Sequence, residues 1–101
     1  MSAYMRVEVI LDRPLLQEVR RLAHAAGLSG HTVLPALSGE GSAGYWVEDL
    51  VTGAQSKLVF MSVTSETKAR GFLAALEPLL DSHGLVALCA PVLVVRGAKF
   101  D

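Results

Sequence analysis

Two amphipathic helical stretches, each closed by a glycine and followed by a strand-like apolar run, constrain this chain more than any other feature. In the first, Leu15, Val19, Leu22, Ala23 and Ala26 recur at helical spacing, with Gln17, Glu18, Arg20 and Arg21 on the outer side. Pro14 suits its first turn, where a missing N–H costs nothing, with Asp12 or Arg13 as the N-cap. Gly27 is the expected left-handed stop. The second helix starts after Ser65 as N-cap and buries Ala69, Phe72, Leu73, Leu76 and Leu80. Pro78 should kink or tighten its last part, and Gly84 ends it.

Four strand-like segments flank these helices. Tyr4 to Leu11 alternates, with Met5, Val7, Val9 and Leu11 on one face and Arg6 and Glu8 on the other. Glu8 reads as a solvent-face or interface charge. His31 to Leu37 is the second strand, and Pro35 confines it to an edge or a bulge. Lys57 to Val63 is the third, and Leu85 to Arg96 the fourth, with a break at Pro91. The order β-α-β-β-α-β predicts an α+β, ferredoxin-like fold: a four-stranded antiparallel sheet with both helices on one face. The 101 residues make one domain of ordinary size, residues 1–101, and 51% apolar residues support a core. The third strand is apolar on both faces, with Leu58, Phe60 and Val63 set against Val59 and Met61. Val92 to Val95 are apolar in succession. A sheet apolar on both sides with helices on only one needs a partner, so the sequence predicts an oligomer whose sheets face inward.

Between the second and third strands runs a long loop, Ser38 to Ser56, with glycines at 39, 41, 44 and 53. Loops of that length in small domains are usually functional or disordered, and Tyr45 and Trp46 argue against simple disorder. Part of it is expected to extend the flanking strands as a ribbon, and Tyr45 and Trp46 read as partner-binding aromatics. Gly30, His31 and Thr32 follow the first helix, and Gly84, Leu85, Val86 and Ala87 follow the second. Both turns are expected at the loop end of the sheet, with Arg96 and Lys99 as the cations best placed for phosphates. Arg6, Arg13, Arg20 and Arg21 read as solvated.

Other chemistries find little support. A net charge of −1 argues against nucleic acid as a partner. His24, His31 and His83 lack metal-ligand spacing, so no metal site is expected. No catalytic constellation can be recognised, and the chain reads as a non-enzyme. The single cysteine, Cys89, lies in an apolar run and reads as a buried thiol. Without a signal-like start or an uninterrupted apolar run of ~18 residues, the expected location is the cytoplasm.

The stretch GLSGHTV, residues 27–33, resembles the G-I-x-G-M-T-V turn of PII signalling proteins, which also lies between helix one and strand two. VEVILDRPLLQEVRRLA resembles their first strand and helix. The long loop then corresponds to their partner-contacting T-loop, and the turn after helix two to their B-loop. SHGLVALCAP lacks the glycine- and lysine-rich B-loop motif, the loop lacks the modified-tyrosine context, and strand four keeps only Arg96. The chain therefore resembles a PII-like protein and not a nitrogen-regulatory PII, and its length and small-residue loop make it most similar to the PII-like proteins associated with carboxysome and bicarbonate-transporter genes.

That resemblance implies a homotrimer with adenine nucleotide in clefts between subunits. By position it assigns to the nucleotide Gly30, His31 and Thr32, then Ser38 and Gly39, then Gly84, Leu85, Val86 and Ala87, and finally Arg96. With few cations to match a triphosphate, ADP or AMP is favoured over ATP. It also suggests bicarbonate, held by backbone N–H groups of Ser38, Gly39, Glu40, Gly41 and Ser42 in a nest-like arrangement. The regulated partner would be a membrane transporter or a carboxysome-related protein. Two alternatives stay open: a CutA-like divalent-metal-binding trimer, and a small ferredoxin-fold enzyme of the muconolactone-isomerase or monooxygenase kind.

Overall fold

The computed structural model describes residues 2–41, 44–47 and 57–96. Alternation carries β1, Ser2–Asp12, through the middle of a four-stranded antiparallel sheet. Val7, Val9 and Leu11 are buried on one face of it, as the pattern predicts. The chain then makes a 3₁₀ turn, Arg13–Leu15, with Asp12 as N-cap and Pro14 in its first positions. Helix α1, Leu16–Ala25, follows and buries Val19 and Ala23. Gly27 takes a φ of 87°, the left-handed turn that releases the chain toward β2, Thr32–Ala36.

The loop region starts with a separate two-stranded ribbon, β3, Ser38–Gly41, paired with β4, Gly44–Val47. The expected Ser42 contact, the stretch 48–56 and Lys99 lie outside the described residues. Strand β5, Lys57–Thr64, alternates without a fault: Leu58, Phe60, Ser62 and Thr64 are buried, while Lys57, Val59, Met61 and Val63 are half-buried. Val63 thus belongs with Val59 and Met61 and not with Leu58 and Phe60, because the two-residue period of a strand fixes its side. Helix α2, Glu66–His83, starts at Ser65, whose Oγ accepts the Lys68 N–H at 3.3 Å. Such a cap contributes about 1 kcal/mol. The helix runs past Pro78 and ends at Gly84, φ 65°. Strand β6, Val86–Val94, closes the sheet.

The strand order is β2-β5-β1-β6, so β2 and β6 are the edges. Pro35 lies on an edge as expected. Pro91 does not break β6: it pairs in register with Met5 inside a continuous strand. An edge strand tolerates a proline whose missing N–H faces outward. The edge position also exposes Cys89, against the expectation of a buried thiol. The core lies between the sheet and both helices, where Phe60 and Phe72 meet with ring centroids 5.7 Å apart. The opposite face carries no helix. Across it run Leu34, Val59, Ile10 and Val86 in one row, and Leu34 and Val86 are about half exposed.

Candidate functional site

Strand directions decide which of the candidate residues can meet. β1 ends at Asp12 beside Lys57, the first residue of β5, and β2 ends at Ala36 beside that same Lys57. The ribbon therefore leaves from this end. Val86 pairs with Ile10, so the Gly84–Ala87 turn lies at this end too, at the β6 edge. The Gly30–Thr32 turn does not. Thr32 pairs with Met61, and the Ser62 hydroxyl donates to the Gly30 carbonyl at 2.6 Å, which sets this turn toward the far end of β5, at the β2 edge. Arg96 follows Val94, which pairs with Ser2 at the far end as well. The expectation that both turns and Arg96 share the loop end fails for a simple reason. A crossover helix returns the chain to the end where its first strand began, and the two βα units run in opposite senses.

The candidates thus occupy separate edges. Gly84–Ala87 and Gly30–Thr32 are separated by three strand spacings, about 14 Å, across the sheet, and their facing ends, Ala87 level with Val9 and Thr32 level with Glu8, are offset by one residue along β1. One chain cannot place both on a small ligand. At the loop end, Lys57 Nζ and Asp12 Oδ1 form an ion pair at 2.6 Å that ties the ends of β5 and β1 together under the ribbon. Ser38, Gly39, Glu40 and Gly41 are extended and paired with β4. Successive amides of a paired strand point to opposite sides, so these residues do not form the concave nest expected of them. Tyr45 is 82% exposed at the ribbon, opposite Glu40. Trp46 pairs with Gly39 through the backbone.

His31 has the most defined surroundings. Its ring stacks on Phe60 with centroids 4.8 Å apart and an interplanar angle of 18°. Its Nε2 accepts from Arg20 Nε at 3.2 Å, which places the proton of the neutral ring on Nδ1. Partial burial, and then the charge of Arg20, push the imidazole below its ordinary 6.5. The unfolded chain therefore takes up the proton first. His31 favours the fold fully above pH 6.5, and that contribution declines as the pH falls through and below it. Thermal melts of the wild type and His31→Gln on both sides of pH 6.5 are expected to show an acid-side loss in the wild type that the variant reduces. Equal pH profiles would refute the assignment. Sequence reasoning missed Arg20 and Phe60 as partners of His31. The available signal was faint: a basic residue on the outer side of α1 and an aromatic at a core position of β5.

Among the described residues, no three side chains of metal-ligating type come together. No described helix is long and apolar enough to cross a membrane.

The family model described as nitrogen regulatory protein P-II matches residues 4–99. The chain belongs to the P-II family. Solved P-II-like structures share its fold. One is CPII from Thiomonas intermedia K12 bound to ADP, AMP and bicarbonate, with a TM-score of 0.90 at 24% identity over 98% of this chain and 94% of that one. CPII bound to ADP and bicarbonate gives 0.89 at 25% identity, over 99% and 96%. A putative PII-like signalling protein from Thermus thermophilus gives 0.86 at 24% identity, over 98% and 96%. None of the curated proteins matches the sequence. The fold class expected from the residue pattern is the one this P-II chain has, and its 27–33 turn sits between α1 and β2 as the resemblance required.

Proposed function

We propose that this P-II protein is a cytoplasmic, non-enzymatic regulator that assembles as a homotrimer and binds ADP or AMP in clefts between subunits. Bicarbonate is its second ligand, near the base of the ribbon. Ligand state selects the conformation of the loop, which regulates a membrane transporter of bicarbonate or a carboxysome-related partner.

The observation that carries this reading is the separation of the candidate turns. Gly30–Thr32 lies at the β2 edge of the sheet and Gly84–Ala87 at the β6 edge, three strand spacings away, about 14 Å. Both can touch one nucleotide only if they come from neighbouring copies. The uncovered apolar face supports the same assembly, since copies that bury it bring opposite edges of their sheets together. The Gly84–Ala87 turn carries no charge, which favours a diphosphate or monophosphate over a triphosphate. The ligands of CPII point the same way.

Calorimetric titration with AMP, ADP and ATP, each with and without bicarbonate, tests it. ADP or AMP is expected to bind at micromolar levels, more tightly than ATP and more tightly still with bicarbonate, because coupling between two ligands is reciprocal. Binding without a bicarbonate effect would remove the carbon link and leave a nucleotide switch. No nucleotide binding would defeat the proposal, and titration with copper and zinc would then test the CutA-like alternative.

A further inference from the structure

The uncovered face of the sheet carries the Lys57–Asp12 pair at its loop end and a second ion pair further along β1, between apolar neighbours. Arg6 Nη2 lies 2.7 Å from Glu8 Oε1, both on β1 and both on the side away from the helices. Glu8 is flanked in register by Met61 on β5 and Leu88 on β6, and Arg6 by Val63 and Ala90. Glu8 has a side-chain exposure of only 29% before anything covers the face. Such a pair contributes little while water reaches it. Covering the face with an apolar surface would strip both groups of water while one contact satisfied only part of a guanidinium and a carboxylate. A covering surface must therefore bring complementary charge. A second copy of this chain does so by construction, because each carries one Arg6 and one Glu8 at the same height on the central strand.

We infer that Arg6 and Glu8 form the specificity lock of the self-assembly: Arg6 of one copy meets Glu8 of the next across the buried face, which fixes register and excludes chains that lack the pair. The inference rests on the oligomeric reading proposed above. A buried polar pair that selects partner and register is an attested use of such residues, and like charges brought together are rejected at a cost of several kcal/mol.

Charge exchange tests it. Glu8→Arg and Arg6→Glu, each alone, are expected to weaken assembly by about two orders of magnitude or more while the variants stay folded by circular dichroism. The double variant Arg6→Glu/Glu8→Arg is expected to assemble with itself. Mixed with isotopically heavy wild type and resolved by native mass spectrometry, it should give two separate populations, since mixed interfaces would oppose like charges. Free mixing of double variant and wild type would overturn the lock, and so would undiminished assembly of Glu8→Arg. A wild-type protein that stays monomeric at every concentration would instead defeat the oligomer reading beneath it. If a single variant fails to fold, the double variant and the mixing experiment still decide.

Discussion

Replacing Phe72 with alanine is expected to remove about 3–5 kcal/mol of stability, a large share of the roughly 5–15 kcal/mol that holds a domain of this size together. Phe72 has no exposed surface and sits on the inner face of α2. Its ring meets Phe60 at a tilt of 43°, and Phe60 in turn carries the stacked His31. The loss therefore combines an unfilled cavity with a loosened contact between α2, β5 and the Gly30–Thr32 turn. Urea unfolding at one fixed protein concentration measures it. The midpoint should fall sharply while the slope stays near the wild-type value, because the same surface is exposed on unfolding. A loss below about 1 kcal/mol would show that the helices close over the gap and that the core is less specific than its burial implies.

What the sequence made legible was local. The two-residue period of β1, the N-cap at Ser65 and the left-handed stops at Gly27 and Gly84 each depend on a few neighbouring residues. They survive in the structure because nothing distant competes with them. The errors fall where pairing across the sheet decides. Cys89 and Pro91 looked buried and disruptive in an apolar run, but β6 is an edge, and an edge exposes one and tolerates the other. The SGEG stretch looked like a flexible nest, but pairing with β4 extends it. The candidate site was legible as segments and not as an arrangement. Which end of the sheet each turn occupies follows from strand direction, and in this chain that separates the two turns instead of joining them.

Gly30 offers the sharpest separation of ligand binding from folding. Glycine is usually explained by a positive φ or by a crowded neighbour, and Gly27 shows the first demand, with a φ of 87°, while Lys68 Cε, 3.5 Å from where a Cβ would stand, is in ordinary contact. Gly27→Ala is accordingly expected to destabilise the protein by about 1–2 kcal/mol whether or not a ligand is present. Gly30 shows neither demand: its φ is not positive, and a Cβ there would meet nothing within 4 Å. Its bond with the Ser62 hydroxyl uses the backbone carbonyl, which any residue supplies. Gly30→Ala should thus leave stability unchanged or raise it by about 0.4–1 kcal/mol, through a less disordered unfolded chain. If the turn approaches a nucleotide closely, as proposed, the bulkier Gly30→Val should weaken ADP binding at least tenfold, about 1.4 kcal/mol, in a protein that melts like the wild type. Calorimetry with ADP, paired with a melt of the same sample, separates the two effects. Unchanged ADP affinity in a folded Gly30→Val protein would move the nucleotide away from this turn. Lost affinity with an intact melt would place it there, because neither backbone conformation nor crowding within the unliganded chain requires glycine at this position.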